Sequence, residues 1–365
     1  MQKIVAFTRD RSPAGRRGDS AMPPATGVRY GSDTPQERAE QVSVSIVVPT
    51  CGRPDLLNRC LGALTMQRFD PTRYEIIVVD DRPSVATRDI VIDWAKHAAR
   101  RGPTVTYIAS PGPHGPAAAR NHGWRAARGQ IIAFTDDDTV ARTDWLEKGV
   151  EAFAHPDVEA VWGRIVMPLH RTPTDYELDA KGLERAEFVT ANCFCRKSTL
   201  EKIGGFDERF RFAWREDADL YFNLLDIHAR IEHVPAAVIV HPIRPARWGV
   251  SLSQQKKVIF DALLFKKHPD LYRRKIRARP NWNYYLIVLA LAAAIGFGVA
   301  GLTVPAVAAA AAWLALTARF CAARLRHTVH TPSHVLEMIV TSALIPPVSV
   351  FWRMVGMLKF RTPLI

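Results

Sequence analysis

The sequence predicts an α/β domain on a mostly parallel sheet, followed by a helical hairpin able to cross a membrane. Apolar strand-like runs alternate with helical stripes from Val42 to His241, the pattern of a sheet covered on both faces. Three of those runs stop at polar clusters, namely Pro49-Thr50, Asp80-Asp81 and Asp136-Asp137-Asp138. Beyond them, the 39 residues from Pro280 to Ala318 contain no Asp, Glu, Lys or Arg, whereas one membrane-spanning helix needs ~20 apolar residues.

Taken in order, Val44 to Val48 reads as a buried strand ending in Pro49-Thr50. Asp55 to Met66 carries Leu56, Leu57, Cys60, Leu61 and Leu64 on one helical stripe. Tyr74 to Val79 is a second strand, Thr87 to Arg100 a helix and Thr104 to Ala109 a third strand. Gly115-Pro116 opens an Ala-rich helix that Gly129 closes, and Gln130 to Thr135 is a fourth strand. Farther on, Val158 to Val166 and Glu232 to His241 read as strands, and Ser198 to Ile203 and Glu216 to His228 as helices, with Gly204-Gly205 a tight stop. Ligands bind beyond the carboxyl ends of such strands, so three strands deliver polar groups to one rim.

The expected organisation is a disordered tail over 1–41, a catalytic domain over 42–250, a basic juxtamembrane segment over 251–281 and a transmembrane hairpin over 282–326. The spans are placed at about Tyr284–Ala300 and Leu302–Ala323. The stretch 327–365 is apolar but holds Glu337, Pro346-Pro347 and Arg353, which predicts a kinked, re-entrant or interfacial helix. A buried Ala-rich helical core is the bland alternative for the hairpin.

The formal net charge is +13. Much of it brackets the apolar run, from Lys256 to Arg279 before it and at Arg319, Arg324 and Arg326 after it. This placement speaks for a membrane with both flanks on the cytoplasmic side, and against nucleic acid as the partner. The five cysteines, Cys51, Cys60, Cys193, Cys195 and Cys321, fit no zinc or disulfide framework, which points to a reducing compartment. Cys193 and Cys195 would share one strand face and serve ordinary packing.

Three adjacent carboxylates at Asp136, Asp137 and Asp138 repel one another and gain from a cation between them. Hard oxygen ligands favour Mg²⁺ or Mn²⁺, with a nucleotide diphosphate completing the shell; a solvated acidic turn is the alternative. Asp80 and Asp81 can accept from a base N–H or a ribose hydroxyl, or cap the next helix. Glu216-Asp217 can supply a general base or an N-terminal cap. Arg120, beside Asn121, suits phosphate contact or a plain surface position. His241 ends the last strand as a metal ligand or a structural histidine.

Together these residues resemble the family 2 glycosyltransferases of GT-A fold over Val42 to His241. The resemblance is carried by Pro49-Thr50 and Arg53, Asp80-Asp81, Gly115 through Arg120-Asn121 and Gly123, Asp136 to Asp138, Gly204-Gly205-Phe206-Asp207-Glu208, and Glu216-Asp217 with Asp219-Leu220. It implies a nucleotide-diphosphate sugar donor held by Pro49, Thr50, Arg53, Asp80, Asp81, Arg120, Asn121, Asp136 and Asp137. It implies a metal on Asp138, with Asp136 and His241. Asp217, with Glu216 beside it, would be the catalytic base, and Trp214 and Arg215 would lie on the acceptor side. Arg82-Pro83-Ser84 departs from the family's usual small residue before the serine, which leaves the base open. Arg247-Trp248 and Gln254-Gln255 do not reproduce the Gln, Arg and Trp motif of the processive synthases, which favours transfer of one sugar.

The expectation is therefore a metal-dependent inverting enzyme of the cytoplasmic membrane, multi-pass, with its catalytic domain facing the cytoplasm. Its acceptor would be lipid-linked or a cell-envelope glycan. The competing readings are a polyprenyl-phosphate glycosyltransferase and a catalytically silent membrane scaffold. A dinucleotide-binding oxidoreductase is disfavoured, because Pro49 to Pro54 lacks a Gly-rich phosphate loop.

Overall fold

The computed structural model describes residues 42–100, 102–169 and 171–363, so the tail expected over 1–41 lies outside the described residues. The chain divides into two units. One holds the residues up to Met167 together with Glu184–Pro242, and the other holds Pro168–Leu183 with Ile243–Ile365. The expected catalytic span ran on to 250 without a break. The first compact unit ends at Pro242, and the internal segment Pro168–Leu183 groups with the second.

In the first unit, Val44–Thr50 is buried at all seven positions, as befits a strand between two others. This strand, β1, pairs in parallel with β2 (Tyr74–Asp80), and β2 with β3 (Thr104–Ala109). On its other side β1 pairs in parallel with β4 (Ile131–Phe134). Thr50 stands opposite Asp80 and Val47 opposite Phe134, so the polar residues after each strand emerge at one edge. Four further strands, β5 (Val140–Ala141), β6 (Val158–Val166), β7 (Cys193–Arg196) and β8 (Arg230–Val240), complete the order β3-β2-β1-β4-β7-β6-β8-β5.

The sheet is mixed as well as mostly parallel. β7 runs antiparallel to both β4 and β6, and β5 antiparallel to β8. The short strands β5 and β7 carry too little pattern to announce themselves. Cys193 and Cys195 nevertheless share a buried face of β7, as their spacing predicted.

Among the described residues, six α-helices cover the sheet: α1 (Pro54–Thr65), α2 (Val85–Ala98), α3 (Pro116–Ala126), α4 (Trp145–Glu151), α5 (Lys197–Ile203) and α6 (Glu216–Asp226). One core lies against Ile46 and Val48 and takes in Leu57, Cys60, Leu61 and Leu64 of α1. The other lies against Val47 and takes in Ala117, Ala119 and Trp124 of α3. Burying each such leucine contributes ~1.5–3 kcal/mol, and the same packing fixes the strand ends that carry the polar rim.

The second unit is helical. Trp282–Val299 (α7), Thr303–Leu325 (α8) and Pro332–Phe360 (α9) are each long and apolar enough to cross a membrane. Pro305 lies in the first turn of α8, where its missing N–H costs little. The expected kinked or re-entrant third stretch is one continuous helix of 29 residues that contains Pro346 and Pro347. Its inward face is mixed, with Thr341, Ser342, Ser349 and Arg353 buried beside Met338, Ile345 and Val350, while Leu336, Ile339, Phe351 and Leu358 are exposed. Arg353 pairs with buried Asp261 at 3.3 Å. Asp261 belongs to the helix Ile259–Lys267, so part of the expected juxtamembrane segment is packed interior.

Candidate active site

Each parallel strand hands its last residues to the same rim. Thr50 closes β1, and its hydroxyl donates to Asp137 Oδ2 at 2.6 Å. Arg53, just before α1, reaches Asp137 Oδ1 at 2.7 Å and Asp138 Oδ2 at 3.5 Å. Asp137 is fully buried. Burial pushes its carboxyl up to about 6 in spite of Arg53 and the Thr50 hydroxyl. The middle aspartate therefore locks the loop after β4 to β1, while Asp136 and Asp138 offer carboxylate oxygens near His241.

Asp136 and Asp138, together with His241 after β8, offer ligand atoms that all lie within 4.8 Å of one another. His241 Nε2 stands 3.6 Å from Asp138 Oδ1, and its buried Nδ1 has no hydrogen-bond partner among the described residues. Two carboxylates and an imidazole suit a divalent ion such as Mg²⁺ or Mn²⁺, so the residues present fit a metal.

Arg120 is buried and paired. Its side chain is 3% exposed, and it donates to Asp136 Oδ1 at 2.7 Å and to Glu216 Oε1 at 3.2 Å. It is not a surface arginine, and two carboxylates share its guanidinium while its Nε has no hydrogen-bond partner among the described residues. Burial alone would raise the Asp136 carboxyl, but Arg120 and His241 outweigh that and hold it below its ordinary value.

Glu216 opens α6, behind Arg215 in the left-handed region at φ 76°. Burial, with the Asp217 charge beside it, raises the Glu216 carboxyl against the pull of Arg120. Asp217 is half-buried, and burial raises its carboxyl too, against the Ala218 N–H that donates to it at 2.7 Å. The capping and functional readings of this pair coexist, since the helix start holds both carboxylates at fixed points. Arg215 lies over the exposed Trp214 ring, 4.5 Å from its centroid, at the same turn.

Asp80 is buried at the end of β2 and accepts from the Ser84 N–H at 3.0 Å and the Tyr107 hydroxyl at 3.1 Å. Burial raises its carboxyl despite these donors. Ser84 itself caps α2 through the Thr87 N–H. Asp81 accepts from the Gly115 N–H at 2.8 Å, and His114 Nδ1 stands 3.5 Å away. Gly115 has φ 134°, and a Cβ there would meet the Arg211 backbone at 3.0 Å, so glycine is required. Sequence reasoning missed Tyr107 and His114, since neither sits in a recognisable pattern.

Asn121 was expected beside the donor, but the structure uses it as a strut. Its amide donates to Phe206 O and Glu208 Oε1, both at 2.8 Å, and accepts from the Phe206 N–H and the Trp124 indole. It is fully buried. Gly205, at φ 73°, would bring a Cβ within 2.6 Å of Asn121 Oδ1, which explains the glycine before Phe206. Pro49 is likewise buried within β1, opposite Val79.

A sequence model described as Glycosyl transferase family 2 matches residues 45–206. One described as Glycosyl transferase family group 2 matches residues 131–325, more than half of the chain. The chain is a family 2 glycosyltransferase.

This glycosyltransferase is 26% identical over 229 residues to glycosyltransferase AglE of Haloferax volcanii, covering 59% of the chain and 71% of that relative. It is 30% identical over 218 residues to the pre-mycofactocin glycosyltransferase of Mycobacterium tuberculosis, covering 55% of the chain but 43% of that relative. Its fold is that of the mannosyltransferase PcManGT from Pyrobaculum calidifontis, solved in complex with GDP-Man and Mn²⁺. The two share a TM-score of 0.51 and 19% identity over 87% of this chain and 86% of that one. The architecture is thus GT-A, as the sequence motifs implied.

Proposed function

We propose that this glycosyltransferase is metal-dependent and inverting, moving one sugar from a nucleotide-diphosphate donor to a hydroxyl of a lipid-linked or cell-envelope glycan. One observation carries the reading: Asp136, Asp138 and His241 cluster within 4.8 Å, and Arg120 ties that cluster to the helix start that presents Asp217. Asp136, Asp138 and His241 would hold a Mg²⁺ or Mn²⁺ ion. When bound, such an ion supplies positive charge against the donor diphosphate.

The rest falls to the chain's own residues. Asp80 and Asp81 line the rim beside Thr50 and would orient the nucleoside, with Asp81 the more accessible of the two. Asp217 takes the acceptor proton as the acceptor oxygen bonds to the anomeric carbon. The bond from that carbon to the diphosphate oxygen breaks, and its electron pair leaves with the diphosphate. One displacement inverts the configuration. A general base contributes ~10²–10⁴-fold, which fits a carboxylate raised by burial and held at a helix start. Glu216 and Arg120 act through Asp217 and Asp136 by position. Trp214 and Arg215, on the same turn as the base, would meet the acceptor.

The three apolar helices favour an acceptor carried in a membrane over a freely soluble one. The test is a screen of nucleotide sugars for Mn²⁺-dependent hydrolysis or binding by the full chain. One donor should stand out, with activity lost on chelation. A chain that binds no nucleotide sugar with any divalent ion would refute the reading and leave the scaffold alternative standing.

A further inference from the structure

The second unit contains a cavity of about 200 Å³. Its walls are the first turn of α9, the loop at 244–248 and the helix Asp175–Ala180. That is well above the ~10–15 Å³ that one water needs, and leaves room for a phosphate ester. The cavity adjoins the end of α8 as well, because Arg324 there donates to Asp175 at 2.7 Å. It therefore sits where two apolar helices meet their polar flanks, the level at which headgroups lie.

Its charges are not balanced. Every acidic side chain in the wall is already satisfied from within the unit. Asp175 takes Arg324. Glu177 takes Arg171 at 2.7 Å and closes a capping box with Thr174. Glu337 accepts from the Gly249 N–H at 2.7 Å and faces His334 at 3.7 Å. Arg244 and Arg247 also line the cavity, and both are exposed. Arg247 has no carboxylate partner for its guanidinium among the described residues. The start of a 29-residue helix adds its positive dipole end. Trp248, 52% exposed, stands beside Arg247 with its indole N–H toward Ser333 O at 3.4 Å, and such rings favour the membrane–water interface.

We propose that this cavity binds the phosphate of an anionic membrane lipid, with Arg247 supplying the open fork of donors and Trp248 resting at headgroup level. The site is independent of the sugar-transfer reading, and its test needs no turnover.

The test uses the full chain in neutral detergent with dioctanoyl phosphatidic acid as probe, read by isothermal titration. Wild-type protein should bind it saturably and bind dioctanoyl phosphatidylcholine, with the same tails, at least tenfold more weakly. Arg247→Gln should weaken phosphatidic acid binding at least tenfold, and Arg247→Lys should keep most of it. Arg279→Gln, a charge-matched change in the basic segment, should leave it unchanged. Inorganic phosphate that binds as tightly and displaces the lipid would uphold the phosphate site and assign it to a soluble anion. Equal binding by wild type and Arg247→Gln, or equal loss in Arg247→Gln and Arg279→Gln, would overturn the proposal.

Discussion

Asp136 and Glu216, 80 residues apart in sequence, share the two ends of one buried guanidinium, that of Arg120. This bridge joins the loop after β4 to the start of α6, so the prospective metal ligand and the prospective base are parts of one rigid arrangement. Replacing Arg120 by Met would leave the buried Glu216 and the half-buried Asp136 without their cation. Breaking such a pair costs ~3–5 kcal/mol, so Arg120→Met should lower the melting temperature markedly. Arg120→Lys keeps the charge but not the fork, and should fold while losing kcat more than KM. A rise in KM alone, with kcat and melting unchanged, would instead indicate direct phosphate contact.

Asp217→Asn should reduce kcat by ~10²–10⁴-fold with little change in donor affinity. The pH dependence follows from the same residue. A base acts only when ionised, and burial raises the Asp217 carboxyl above its ordinary value. The rate should therefore climb with pH through a region above the usual carboxylate range of roughly 4, and fall as pH drops below it. An acid limb at or below the ordinary carboxylate value, or an Asp217→Asn variant with full activity, would remove Asp217 as the base.

Asn121→Ala should act on stability before it acts on binding. The change strands the Phe206 backbone and the Trp124 indole, which Asn121 now satisfies. Each buried group left unpaired costs ~1–3 kcal/mol, and 1 kcal/mol shifts melting by about 2–4 °C in a domain of this size. Thermal unfolding of the variant decides the point. An unchanged melt with lost nucleotide affinity would return Asn121 to the donor site.

Much of this arrangement was legible in the sequence. The central strands announced themselves because strands buried on both faces read as unbroken apolar runs, as Val44 to Val48 and Ile131 to Phe134 do. Their polar ends followed, since parallel register brings the carboxyl ends to one edge. Partners across space were not legible. Nothing near Arg120 in the sequence indicates a carboxylate 96 residues later. Nothing in the sequence distinguishes Asp137, which pairs with Thr50, from the neighbours that gather at His241. Pro346-Pro347 suggested a kinked, re-entrant or interfacial helix; in the structure one helix runs through them, with Ile345 and Pro346 buried. Neighbouring packing can hold a turn that has lost its backbone donors.

The exposed apolar faces of α7 and α8 predict that the full chain stays with the membrane fraction after alkaline carbonate extraction. Only 6% and 11% of their spanning windows are buried within the protein, too little cover for residues such as Leu289, Val299, Val304 and Leu314 in water. Release into the soluble fraction would contradict the membrane reading.

The central claim is that Asp136, Asp138 and His241 gather one cation that holds the donor diphosphate. The most direct measurement is calorimetric titration of the matching nucleoside diphosphate into wild type and Asp138→Ala, with and without Mn²⁺. Wild-type affinity should rise at least tenfold with Mn²⁺, about 1.4 kcal/mol, and Asp138→Ala should lose that increment. A variant that responds to Mn²⁺ as the wild type does would contradict it.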